Sequence, residues 1–214
     1  MIKVLVADDH AIVREGLKQI LLRAQDFEIG GEASNGHEVL DKVRNSAWDL
    51  LLLDMSMPGR SGIELIKLVK AERPQLPILV LTMHAEKQYA VRAFKAGAAG
   101  YLTKESAPLE LVSAARKVAS GGMYVSPVTA EYMAVSIGQP QQSLPHQSLS
   151  DREFEVFRMI VGGSSISDIA ERLTLSVKTV STHKTRILQK MQMQSQTELI
   201  HYAIKHNLVE DIDP

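Results

Sequence analysis

Leu50 to Leu53 is an unbroken run of leucines that ends in a carboxylate, Asp54, and the chain then meets Pro58, Gly59 and Gly62. The run is too short for an ordinary helix and is bounded by turn residues. It reads as a strand covered on both faces, the environment of a central strand in a parallel sheet. An acid placed where such a strand gives way to a loop lies along the edge at which open α/β sheets keep their chemistry. Taken alone, Asp54 could equally cap the following turn. The rest of the chain decides between the two.

Ile2–Ala7 is a second short apolar run and it too ends in acids, Asp8 and Asp9. Apolar residues then recur at helical spacing over 11–24. Phe27–Ala33 is a further strand candidate, weakened by Gly30 and Gly31, and a helix over 36–45 leads into the leucine run. Residues 62–72 are predicted helical. Pro77 opens a fourth strand that ends at Thr82, and a helix over 86–96 stops at Gly97. A short fifth strand over 99–102 runs into Thr103 and Lys104. Pro108 suits the first turn of a helix reaching about Ser120, which Gly121 and Gly122 close. Five alternations of strand and helix predict a doubly wound five-stranded parallel sheet over residues 1–122. Asp8, Asp9, Asp54, Thr82 and Lys104 all fall just past strands, so one sheet edge can gather them.

Their chemistry is coherent. Carboxylates gathered without a counter-charge repel one another, which a hard divalent cation such as Mg²⁺ relieves by oxygen coordination. A cation and an ammonium can stabilise charge on a transferred phosphoryl group while one carboxylate acts as nucleophile. Asp54, the solitary acid of the central strand, is the best nucleophile candidate. The hydroxyl of Thr82 can bond a phosphoryl oxygen. His10 and His84 lie near this group in sequence but lack the His/Cys spacing of a zinc site.

Charge is balanced overall, with 24 basic and 25 acidic residues, so a nucleic-acid partner cannot be argued from net charge. Distribution says more: Arg172, Lys178, Lys184, Arg186 and Lys190 fall between residues 172 and 197 with no acid among them. There is no cysteine, which excludes disulfides and fits a reducing compartment. No signal-peptide or membrane-span pattern is present, so a soluble, cytoplasmic protein is expected.

Residues 123–148 are expected to be a linker, with a helix starting near Pro127 and then a polar, Pro-broken tether over 138–148. Residues 149–214 read as a small all-α domain. Ser150 to Glu153 is a capping box opening a helix to about Val161, ended by Gly162 and Gly163. Ser165 or Ser167 starts a short helix, and after the turn at Thr174–Ser176 a long helix runs from Val177 to about Met191. Ser195 to Glu198 is read as another capping box, opening a last helix. Two helices joined by a tight turn, the second basic and rich in short polar side chains, describe a helix-turn-helix unit. Val177, Val180, Ile187 and Leu188 are assigned to its core, with Lys178, Ser181, Thr182, Lys184, Thr185 and Arg186 facing outward. A generic helical bundle with a solvated basic face is the alternative.

Asp8-Asp9, Asp54 with Met55 to Gly59, Thr82, and Gly100 to Lys104 together resemble the receiver domain of bacterial two-component response regulators. Leu149 to Glu153, Asp168 to Leu173 and Ser176 to His183 look like a LuxR-type output domain. The whole chain is thus similar to the NarL/FixJ family of transcriptional response regulators. The resemblance implies phosphoryl transfer from a sensor histidine kinase to Asp54, followed by phosphorylation-dependent binding to double-stranded promoter DNA as a homodimer. It implies Mg²⁺ held by Asp9, Asp54 and the backbone carbonyl of Ser56, with Asp8 reaching it through water. Lys104 would pair with the phosphoryl group, Thr82 would turn toward it, and Tyr101 occupies the aromatic position whose burial accompanies phosphorylation. Lys178, Thr179, His183 and Arg186 would contact the DNA backbone, and Ser181, Thr182 and Thr185 would meet base edges. The last helix, with Glu198, Leu199 and Tyr202, resembles the one through which output domains pair. Glu105 stands where many receivers have proline after the lysine.

Two other function classes compete with this reading. An Asp-nucleophile phosphatase needs a second acid two residues after the nucleophile, and that position is Ser56. A ligand-sensing regulator would need an apolar binding domain in place of the acidic cluster. No enzymatic role is therefore expected beyond uptake and slow loss of the phosphoryl group at Asp54.

Overall fold

The structure is a computed structural model that describes residues 1–57, 62–83, 87–126, 130, 144–206 and 208. The chain divides into two compact units, Met1–Ile137 and Gly138–Pro214. Pro58, Gly59, His84, the start of the expected helix at Glu86 and the expected helix near Pro127 lie outside the described residues.

In the first unit strands and helices alternate: β1 (Ile2–Ala7), α1 (Ala11–Leu22), β2 (Phe27–Ala33), α2 (Gly36–Asn45), β3 (Leu50–Asp54), α3 (Gly62–Glu72), β4 (Ile78–Thr82), α4 (Lys87–Lys95), β5 (Gly100–Thr103) and α5 (Ala107–Ala119). The strands form one parallel sheet in the order β2-β1-β3-β4-β5. The leucine run is its middle strand, and Leu50 to Asp54 are fully buried. The strand order reverses between β1 and β3, which creates a crevice at their carboxyl ends. Register then does the positioning. Ala7 is level with Leu53, so Asp8 emerges beside Asp54. Thr82 is level with Thr103, and the Lys104 N–H donates to the Thr82 carbonyl at 2.7 Å.

Gly30 and Gly31 do not weaken β2; they make room. The pairing of β1 with β2 slips between Val4 and Leu5, leaving Gly30 as the extra residue of a bulge. A Cβ on Gly30 would lie 2.6 Å from Lys3 Cε, and one on Gly31 would lie 2.7 Å from the Trp48 ring. Lys3 and Trp48 cross this strand, with the ammonium 5.0 Å from the indole centroid.

The second unit contains a 3-10 turn (Pro145–Ser148) and then α6 (Asp151–Val161), α7 (Ile166–Arg172), α8 (Val177–Met191) and α9 (Gln196–Lys205). Its core is built from Phe154, Val156, Phe157, Ile160, Ile169, Val180, Ile187, Met191, Leu199 and Ala203. Ser150 and Glu153 form the expected reciprocal capping box. Ser165 starts α7, also with a reciprocal box closed by Asp168. At Ser195 the box is only half made. The Ser195 hydroxyl accepts from the Glu198 N–H at 3.2 Å, but the Glu198 carboxylate reaches the Gln194 N–H instead of that of Ser195.

Two parts of the stretch expected to be linker are packed. Tyr124 forms a parallel bridge with Gly100 on the outer edge of β5, where exposed backbone groups need partners. The tether expected over 138–148 is corrected at its far end. His146 is fully buried, and its Nδ1 lies 2.6 Å from the Tyr202 hydroxyl of α9. Composition marks such a segment as polar, yet the Tyr202 hydroxyl gives the buried imidazole a partner at Nδ1.

Candidate functional site

Asp8 and Asp54 are fully buried at the carboxyl ends of β1 and β3, and Asp9 is half-buried beside them. Lys104, extended from the end of β5, places its ammonium 2.6 Å from Asp8 Oδ2 and 3.2 Å from Asp54 Oδ2. His10 N–H donates to Asp8 Oδ1 at 2.8 Å, and its ring Nδ1 lies 2.9 Å from Asp9 Oδ1. Arg14 fixes the turn after β1 by donating to the Asp8 carbonyl at 2.7 Å. Thr82 is buried at the end of β4, Tyr101 is buried in β5, and Ser56 is half-buried in the turn after β3.

Burial pushes the Asp54 carboxyl up to about 6, with the adjacent Lys104 pulling it down and Asp8 pushing it further up. The group is thus largely ionised at neutral pH but poorly solvated, which suits a nucleophile. Asp8 Oδ2, Asp9 Oδ1 and both Asp54 oxygens are buried without a hydrogen-bond partner. One ammonium cannot satisfy three carboxylates, and oxygens left in this state fit a hard divalent cation. Asp8, Asp9, His10 and Asp54 each offer one ligand atom, all within 4.8 Å of one another.

In the second unit, the Ser176 hydroxyl caps α8 by accepting from the Thr179 N–H at 3.1 Å. Lys178, Ser181, Thr182, Thr185 and Arg186 are exposed along the helix, and Thr179 is half-buried. The Thr182 hydroxyl donates to the Lys178 carbonyl and that of Thr185 to the Ser181 carbonyl. Two outward or inward assignments change. Val177, expected in the core, is 52% exposed. Lys184 is half-buried and donates to Gln196 Oε1 at 2.7 Å, tying α8 to the start of α9. His183 is half-buried, and burial, followed by the nearby Arg152 charge, holds its imidazole below the usual range.

Residues 4–116 match the response regulator receiver domain, and residues 147–203 match the luxR family of bacterial regulatory proteins. The response regulator UvrY of Escherichia coli is 40% identical over 209 residues, which span 97% of this chain and 96% of that one. The chain belongs to the NarL/FixJ family of response regulators. The response regulator GacA of Pseudomonas syringae is 38% identical over 211 residues, covering 98% of this chain and 99% of its own. Among solved structures, RcsB of Salmonella typhimurium superposes with a TM-score of 0.72 at 28% identity, over 95% of this chain and 97% of that one. RcsB has also been solved bound to promoter rprA with the phosphomimetic BeF3⁻ (TM-score 0.68, 28% identity, 94% and 98% covered).

This response regulator is accordingly a transcription regulator with a receiver and a LuxR-type DNA-binding domain, not an enzyme in the ordinary sense. Among the described residues no helix is long and apolar enough to cross a membrane. Of the residues assigned to pairing, Glu198 is exposed, but Leu199 is fully enclosed in its own domain and Tyr202 is occupied by His146. Leu199 is therefore corrected to a core residue. Helical spacing puts Thr197, His201 and Lys205 with Ile204, 59% exposed, on the open face of α9. Sequence reading missed Lys190, whose ammonium reaches Glu153 at 2.6 Å; one lysine in a basic helix carries no mark of an inward partner.

Proposed function

We propose that Asp54 accepts a phosphoryl group from a sensor histidine kinase and that this governs DNA binding by α8. The observation that supports it is a fully buried carboxylate at the end of the central strand, 3.2 Å from a lysine that a second buried carboxylate also holds. An Asp54 oxygen attacks phosphorus as the donor's P–N bond breaks, and the imidazole leaves with the electron pair. Lys104 gives up its contacts to Asp8 and Asp54 and turns its ammonium to the phosphoryl oxygens. Thr82, at the end of the neighbouring strand, supplies a hydroxyl to one of those oxygens, and Tyr101, already buried in β5, holds the inward position that accompanies it. Asp9, Asp54 and the Ser56 carbonyl would hold Mg²⁺, with Asp8 reaching it through water. That ion supplies charge neutralisation for the transferred group.

In the output domain Lys178, Thr179, His183 and Arg186 contact phosphates, and Ser181, Thr182 and Thr185 meet base edges. Phosphorylation favours a homodimer paired through α9, so two linked half-sites gain from effective concentration. The protein works in the cytoplasm, as a receiver over 1–122 and a DNA-binding domain over 149–214 joined by a linker.

The test is intact-mass analysis with Mg²⁺ and a small phosphodonor. One hydroxylamine-sensitive phosphoryl group should appear and should be absent from Asp54→Asn. Undiminished labelling of that variant would place the nucleophile elsewhere. Lys178→Ala should weaken binding to all duplexes alike and lower the salt dependence, whereas Thr182→Ala should change the preference among sequences.

A further inference from the structure

Val177 opens α8 immediately after the Ser176 cap, and half of its surface is free, while Val180 and Ile187 on the same helix are fully buried. A lone exposed valine is ordinary on a protein surface. Its position is not. In a helix-turn-helix unit the first turn of the second helix is the part that meets base edges in the major groove. At 3.6 residues per turn, Val177 lies about 40° around the axis from Ser181 and about 80° from Thr185. All three are exposed, so they share one outward sector.

The chemistry of that sector is unusual for a basic helix. Thr185 donates its hydroxyl proton to the Ser181 carbonyl, and Thr182 donates its own to Lys178. A hydroxyl that has donated its only proton can still accept, but it cannot offer a donor to a base. These threonines are left with a methyl group and an acceptor oxygen. Thr185, on the same side as Val177, adds a methyl group there without a free donor, within a segment that has no acid from Arg172 to Thr197. In the major groove the matching apolar feature is the C5-methyl of thymine, which no other base carries there.

We propose that Val177 is a base-reading residue that packs on a thymine methyl and selects T·A at one position of each half-site. This rests on the reading of α8 as the helix that enters the major groove. Contact with one methyl is worth about a fourfold change in affinity, the burial of a single apolar carbon.

The test uses the full-length protein with phosphodonor and Mg²⁺. A bound duplex is selected from a random-sequence library, and each thymine is then replaced in turn by deoxyuridine, which deletes only the methyl. For the native protein, one thymine per half-site should lose about fourfold in affinity on this replacement. Val177→Ala should weaken the thymine duplex by a similar factor and be indifferent to deoxyuridine at that position. Val177→Ile, which keeps a branched apolar group, should retain the dependence. An unchanged deoxyuridine profile in Val177→Ala, with its melting curve intact, would overturn the assignment. Failure to select any duplex would overturn the DNA-binding reading and this inference with it.

Discussion

The backbone N–H of Tyr101 donates to the carbonyl of Tyr124 at 3.2 Å, and the Tyr124 N–H returns a bond to Ala99 at 2.9 Å. The chain leaving α5 thus doubles back to close the open edge of β5, next to the aromatic residue assigned to signalling. The Tyr124 hydroxyl also donates to Glu110 on α5. Gly100 makes the approach feasible, because a Cβ there would meet Leu79 Cδ1 at 2.6 Å, Val118 Cγ2 at 2.9 Å and Tyr124 Cβ at 3.3 Å. Gly100→Ala should therefore destabilise the receiver by about 1–3 kcal/mol through overpacking. Urea denaturation measures it, and an unchanged midpoint would mean that the strand edge yields freely.

Asp54 has its carboxyl raised from 3.8 to about 6, chiefly by burial. The folded state then binds a proton more tightly than the unfolded chain between those values. Stability falls as pH rises from about 4 to 6, and the full cost is present above 6. In metal-free solution at pH 7.5, Asp54→Asn should be more stable than the native protein by on the order of 2 kcal/mol, with the gap closing toward pH 4. A gap independent of pH would show that Asp54 is not the strained group.

Glu153 is the corresponding group in the output domain with the opposite sign. Burial acts to raise its carboxyl, but bonds from Lys190 and Ser150 outweigh this and hold it below 4.5. Its stabilising contribution is present above about pH 4.5 and lost as pH falls through the folded value. Glu153→Gln should cost about 1–2 kcal/mol at pH 7, and the loss should fade in thermal melts taken toward pH 3.

Thr174, in the turn between α7 and α8, has φ of 53°, a left-handed conformation that a β-branched residue adopts only under strain. Thr174→Gly should relieve it and raise stability by about 1 kcal/mol, provided the turn keeps its shape. A lower melting temperature for this variant would mean that the threonine side chain holds the turn.

The His146–Tyr202 contact joins the beginning of the output unit to its last helix. Tyr202→Phe removes the hydroxyl alone and should lower the melting temperature of that unit, by the equivalent of about 1 kcal/mol. If the melt is unaltered, the buried imidazole is satisfied in another way.

Alternation of apolar runs with helical spacing was enough to place every strand of the sheet and to line up Asp8, Asp54, Thr82 and Lys104 on one edge. That worked because a central parallel strand is buried on both faces and cannot hide its composition. What escaped are features decided by neighbours distant in sequence. Gly30 and Gly31 look like strand breakers until Trp48 is found lying over them. His146 looks like linker until Tyr202 arrives to bond it. Val177 obeys the apolar spacing, but whether the first turn of a helix is covered depends on what packs beyond its end. Leu199 lies on the helix assigned to pairing, and helical spacing alone does not say which neighbour claims it.

The pocket around Asp54 draws its groups from β1, β3, β4 and β5, the first and last strands along the chain included. Asp8, Asp9 and His10 are neighbours in the chain, but Asp54, Thr82 and Lys104 reach them only by pairing between strands far apart in sequence. On the function proposed for Asp54, a nascent or misfolded receiver would lack the assembled pocket that takes up a phosphoryl group. Competence to receive the signal would then be itself a check on the integrity of the fold, with damaged copies of the protein staying silent.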